Sequence, residues 1–118
     1  MKPIFLCYKR CSTCRAAMKY LDNNNIAYEY RDIMTENPNA NELRKWISES
    51  RLPIKRFFNT HGVVYREMNL KDKIDDMTDD EAIELLSTDG RLIKRPLLIS
   101  NEGVFVGFHE ELYESLIP

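Results

Sequence analysis

Apolar residues in this chain recur with two different periods, and the switches between them mark out its elements. The run Pro3-Ile4-Phe5-Leu6 predicts a first strand over residues 3–8, apolar enough to be central and buried. Directly after it, Cys14, Ala17, Met18 and Leu21 fall at i, i+3, i+4 and i+7, which predicts a helix ending near Asn23-Asn24-Asn25. Ser12 or Thr13 stands where a residue could cap that helix. Ile26, Tyr28 and Tyr30 then alternate with Ala27, Glu29 and Arg31, the period of a strand with one buried face. Strand, helix and strand with so short a return predict a right-handed βαβ unit.

From Thr35 the pattern turns polar, and Asn37-Pro38-Asn39 reads as a loop. Asn39 with Glu42 has the spacing of a capping box, and Leu43, Trp46 and Ile47 form the apolar stripe of the helix behind it. Trp46 belongs on that stripe as a core residue. The segment 54–62 reads as a short helix closed by a turn at Gly62, with His61 a solvated or capping side chain. Residues 63–70 carry no clear period and predict irregular or short helical structure. Thr78 and Glu81 form a second capping box, followed by the stripe Ala82, Leu85 and Leu86 and a stop at Gly90. Pro96-Leu97-Leu98-Ile99 reads as a buried strand beginning at a proline, where the missing N–H does least harm. Asn101-Glu102-Gly103 is a hairpin turn into Val104-Phe105-Val106, Gly107 ends that strand, and a last helix opens at His109-Glu110-Glu111.

Composition narrows the class. A chain of 118 residues suits one domain with one core, and 43% hydrophobic with 31% charged residues is the balance of a folded, water-soluble protein. A formal net charge of −2 offers no general attraction to nucleic acid. No apolar run approaches membrane-spanning length and no cleavable leader is evident, so the expected location is the cytoplasm. Structural disulfides are disfavoured there, and paired cysteines point to catalysis or sensing instead.

The candidate chemistry lies where the first strand turns into the first helix: Cys7-Tyr8-Lys9-Arg10-Cys11-Ser12-Thr13-Cys14-Arg15. The first N–H groups of a helix have no intrahelical partner, and its macrodipole makes that end partly positive. A thiolate just ahead of it is therefore stabilised, with Lys9, Arg10 and Arg15 adding positive charge. Cys11 fits the activated thiolate, and Cys14, one turn further on, is placed to attack a disulfide formed on Cys11. Two plainer readings compete. A zinc site would need a second ligand pair, for which only the isolated Cys7, His61 and His109 remain. Inert packing of small apolar thiols is the other. Cys7 reads as a strand-end packing residue and a spare thiol able to mis-pair.

Five stretches carry a resemblance: Cys11-Ser12-Thr13-Cys14-Arg15, Arg56 to Gly62, Tyr65-Arg66-Glu67, Leu85 to Gly90, and Lys94-Arg95-Pro96-Leu97-Leu98. In this order they resemble the ArsC/Spx family of thioredoxin-fold proteins, most closely its uncharacterised arsenate-reductase-related branch. The resemblance implies an α/β thioredoxin-like fold: a small mixed sheet flanked by helices, with a helical insertion at about 39–87 between βαβ and ββα halves of one domain spanning 1–118. It also implies a cis Arg95–Pro96 bond beside Cys11.

In the arsenate reductases of this family one cysteine attacks arsenate while three arginines hold its oxygens. Cys11 and Arg95 match two of these four residues, and the other two arginine positions fall at Asn59 and Phe108. Weak or absent arsenate activity is expected. The resemblance to the Spx branch implies a C-x-x-C switch and binding to the RNA polymerase α subunit. The resulting expectation is a cytoplasmic thiol–disulfide oxidoreductase with Cys11, Cys14 and Arg95 catalytic, and with Arg10, Ser12, Lys94 and Pro96 lining a substrate or anion site. It would bind no metal or cofactor and would draw reductant from thioredoxin, glutaredoxin or glutathione. Its partners would be protein or small-molecule thiols and disulfides, with no direct binding to nucleic acid or membrane. The alternative is a Spx-like redox-switched regulator.

Overall fold

The computed structural model describes residues 2–118. The chain forms two compact units, one built from residues up to Asp32 together with Arg95–Pro118, the other from Ile33–Lys94. The expected insertion at 39–87 lies inside the second.

The first unit carries the sheet. β1 (Ile4–Cys7), α1 (Ser12–Asn23) and β2 (Glu29–Asp32) come from its N-terminal part, and β3 (Leu97–Ser100), β4 (Gly103–Val106) and α5 (Glu110–Tyr113) from its C-terminal part. The strand order is β2-β1-β3-β4. β1 runs parallel to β2 and antiparallel to β3, and β3 and β4 form an antiparallel hairpin, so the sheet is mixed as expected. Neighbours on both sides explain why β1 is apolar throughout: Phe5, Leu6 and Cys7 are fully buried. One core gathers Phe5, Cys7, Cys14, Ala17, Leu21, Ile26, Leu98 and Tyr113, with Phe105 and Phe108 against it.

The second strand begins later than the alternation suggested. Ile26 donates its N–H to the Leu21 carbonyl at 3.0 Å, Asn25 donates to Asp22 at 3.3 Å, and Asn25 takes φ 57°. This crossed pair of hydrogen bonds around a left-handed residue is a Schellman end to α1, with Ile26 and Leu21 as the apolar contact that accompanies it. Ile26 is buried because it closes the helix, and β2 takes only Glu29–Asp32.

The second unit is helical: α2 (Ala40–Ser50), α3 (Val63–Glu67) and α4 (Asp79–Thr88), joined by short 3-10 turns. Both expected capping boxes are formed. Asn39 Oδ1 accepts from the Glu42 N–H at 2.8 Å and Glu42 returns the bond, while Thr78 and Glu81 do the same at 3.1 and 2.9 Å. Leu43, Trp46, Phe57, Phe58, Tyr65, Ile74 and Leu86 are buried. On α4 the buried stripe is Ala82, Ile83 and Leu86 rather than Ala82, Leu85 and Leu86, since the helix turns Ile83 inward and leaves Leu85 at the margin.

Gly62 closes the turn after the short 3-10 helix as expected, its N–H donating to the Asn59 carbonyl at 3.1 Å, and it also stands before α3 as its N-cap. Gly90 has no left-handed backbone; a Cβ there would collide with the Ile33 carbonyl, whose carbon lies 2.8 Å from the position it would occupy. Among the described residues no helix is long and apolar enough to cross a membrane.

Candidate functional site

Cys11 stands at the N-cap of α1 with extended backbone angles, φ −87° and ψ 124°. Its N–H donates to the Tyr8 carbonyl at 2.9 Å, and its own carbonyl accepts from the Arg15 N–H at 3.0 Å. The tight turn over Tyr8–Arg10 thus launches the helix at the first cysteine. Neither Ser12 nor Thr13 is the cap; both lie inside the first turn, exposed, and no side chain caps this end. The first-turn N–H groups keep their partial positive charge for whatever lies at the Cys11 sulfur, and the first turn itself carries no acidic residue.

The cations nearby are held in definite ways. Arg15 Nη1 donates to the Lys9 carbonyl at 3.1 Å, fastening the turn. Lys9 Nζ lies 4.9 Å from the centre of the Tyr30 ring, and Arg95 lies with its guanidinium carbon 5.4 Å from the centre of the Tyr8 ring. Arg95 is thereby tied to the residue whose carbonyl holds the Cys11 N–H. The Arg95–Pro96 bond is cis as the resemblance implied, Pro96 is buried, and its carbonyl accepts from the Gly107 N–H at 2.9 Å. Arg10 and Ser12 are exposed on the cysteine turn. Lys94 is a member of the second unit, where its N–H donates to the Phe57 carbonyl at 2.8 Å. It lines a cavity of about 390 Å³ with Pro53, Lys55, Arg56, Phe58 and Thr60.

The three thiols differ sharply in environment. Cys11 is half-exposed, Cys14 and Cys7 are fully buried, and all three are free. Cys14 Sγ accepts the Tyr8 N–H at 3.3 Å and packs in one core cluster with Cys7, with Cys11 against that cluster. Interaction with Cys7, and burial after it, push the Cys14 thiol far above its ordinary range. The same interaction draws Cys7 below its ordinary range against the opposing effect of burial. Cys7 in turn approaches Met18 Sδ at 3.9 Å.

Cys7 packs at the end of β1 as read from the sequence, and it shares that core with Cys14. The signal was available: Phe5 and Cys7 share one face of β1 by period two, and Cys14, Ala17 and Leu21 share the helix stripe that packs on it. Two phenols complete the surroundings. Tyr113 Oη is buried without a hydrogen-bond partner, and its acidity responds to charge on Cys14 and Cys7. Tyr30 Oη is likewise buried without a partner of full hydrogen-bond geometry, yet it lies close enough to Cys7 to favour a thiolate there. Among the described residues, no three His, Cys, Asp or Glu side chains are arranged to hold a metal ion.

Comparison with known proteins points one way. The model of the ArsC family matches residues 6–116. A solved structure of an ArsC-family-related protein from Bacteroides fragilis is 51% identical, covers 98% of each chain and superposes with a TM-score of 0.96. The structure of a possible arsenate reductase from Streptococcus mutans UA159 is 42% identical over 94% of this chain and 97% of its own, with a TM-score of 0.87. The global transcriptional regulator Spx of Streptococcus mutans is 25% identical over 92% of this chain and 77% of its own length.

Proposed function

This chain belongs to the ArsC family, related to arsenate reductases and to Spx regulators, and from that premise we propose that it is a cytoplasmic thiol–disulfide oxidoreductase working through Cys11 and Cys14. The observation that carries this reading is the asymmetry of the pair. Cys11 is half-exposed at a helix N-terminus, while Cys14 is buried one turn on in the core cluster against which Cys11 packs. The Cys11 thiolate attacks one sulfur of a partner disulfide, forming a mixed disulfide and releasing the other sulfur as a thiolate that takes up a proton. Cys14 gives up its proton and attacks Cys11 Sγ, closing the Cys11–Cys14 disulfide and releasing the second partner thiol. Thioredoxin, glutaredoxin or glutathione returns the pair to thiols. Arg95 offers its guanidinium to the thiolate or to a bound anion, and Pro96, with Arg10 and Ser12, belongs to the substrate groove.

Arsenate is a poor substrate on this reading. Asn59 spends its N–H on the Leu92 carbonyl at 2.7 Å, and the Phe108 ring packs 5.1 Å from that of Tyr113. Neither supplies the bidentate cation that an oxyanion needs.

Trapping tests the division of labour. Cys14→Ser should accumulate a stable mixed disulfide through Cys11, and Cys11→Ser should accumulate none, as read on nonreducing gels with mass mapping. Trapping through Cys14 in the Cys11→Ser variant would reverse the roles. The similarity to Spx favours a second reading, a redox-switched regulator contacting the RNA polymerase α subunit. Multiple turnovers of a disulfide substrate with a reductant would support the enzyme. A change in polymerase affinity on oxidation, with no turnover, would support the switch.

A further inference from the structure

Cys14 packs with two other thiols, not one: Cys7 shares its core cluster and Cys11 packs against it. Cys11 lies on its solvent side and Cys7 on its core side, and Cys7 is fully buried at the end of β1. We propose that Cys7 is a third redox thiol, exchanging with the Cys11–Cys14 disulfide to give a buried Cys7–Cys14 disulfide and a regenerated Cys11. The inference rests on the oxidoreductase reading above and extends it by one step.

The step is redox-neutral. Cys7 loses its proton and its sulfur attacks Cys14 Sγ; the Cys11–Cys14 bond breaks, and Cys11 leaves as a thiolate that takes up that proton or stays ionised. No oxidant is consumed beyond the disulfide that formed the first bond. What enters as one disulfide equivalent is moved inward by one sulfur.

Three features of the cluster suit this exchange. The attacking group is supported, because the Tyr30 hydroxyl lies towards Cys7 with no other partner and can donate to a thiolate. The leaving group is favourable, because Cys11 departs at the helix N-terminus beside unpaired N–H groups. The central sulfur is fixed by the Tyr8 N–H at 3.3 Å, which holds Cys14 while its partner changes. Solvent access is needed for none of these movements, since Cys7 and Cys11 both pack in or against the cluster that holds Cys14. In the product the reactive Cys11 is again available while the oxidising equivalent sits in the core.

The full chain, reduced and then titrated with oxidised glutathione, gives the test. A brief native pulse of iodoacetamide marks accessible thiols, and the unreduced protein is digested and mapped by mass. Expected is a Cys7–Cys14 linked fraction in which Cys11 is pulse-labelled. If every intramolecular disulfide is Cys11–Cys14 and the remaining thiol is an unlabelled Cys7, the inference fails and the oxidoreductase reading stands. If no intramolecular disulfide forms, the oxidoreductase reading falls and this step with it. Cys7→Ala should confine the disulfide to Cys11–Cys14 and abolish labelled Cys11 in the oxidised fraction; persistence of that label would overturn the inference. The wild-type map decides the matter should the variant fold poorly.

Discussion

Tyr113 shows how a single side chain can report on the core around the thiols. Its ring is fully buried against Phe105 and Phe108, and its hydroxyl has no partner. An unsatisfied buried hydroxyl costs about 1–3 kcal/mol, so Tyr113→Phe should stabilise the protein by about 1 kcal/mol, measured by urea denaturation. Burial first, then charge on Cys14 and Cys7, holds this phenol above its usual range. The folded state therefore keeps a proton that the unfolded chain releases near pH ~10. Stability from this group is complete below that pH and is lost as pH rises beyond it. Tyr28 and Tyr30, each pushed up to about 12, act in the same direction. Denaturation midpoints should fall above pH ~10, and less steeply in Tyr113→Phe than in the wild type.

At the level of elements, the ends were more informative than the interiors. Both capping boxes were legible because a reciprocal pair three residues apart is a local device that tertiary packing does not override. Thr78→Ala should cost about 1 kcal/mol, read as a shift of the denaturant midpoint with unchanged slope. Ser12 and Thr13 look like caps for α1, but the Cys11-to-Tyr8 turn sets the boundary and makes Cys11 the N-cap. Gly90 was read as a helix stop, but its cause is a close backbone approach to Ile33 that no local pattern reveals. Gly90→Ala should destabilise by about 1–3 kcal/mol, the usual cost of overpacking. A loss below a few tenths of a kcal/mol would show that the Ile33 backbone yields easily.

Taken whole, the molecule was legible in its element order and in its sheet. Continuous apolar runs marked β1 and β3, period two marked β2, a hairpin turn marked β4, and period 3.6 marked α1, α2 and α4. Residues 63–70 stayed obscure because α3 and the following 3-10 turn are too short to complete an apolar stripe. In the candidate site, Cys11 and Cys14 announced themselves by spacing and context. The nearness of Cys7 to Cys14 was legible only by matching the Phe5–Cys7 face of β1 to the Cys14–Ala17–Leu21 stripe of α1, a match that neither period supplies alone.

The pairing of β1 with β3 joins Ile4 to Ile99, nearly opposite ends of the chain. A ribosome delivers all three cysteines long before it delivers Leu98 and Tyr113, which complete the core that covers Cys7 and Cys14. Throughout that interval the strand bearing Cys7 has one open edge, and its thiols meet the surrounding redox buffer without shelter. Newly made chains should therefore be more prone to thiol scrambling than mature ones, and pulse-labelled nascent chains should alkylate at Cys7 until β3 has been synthesised.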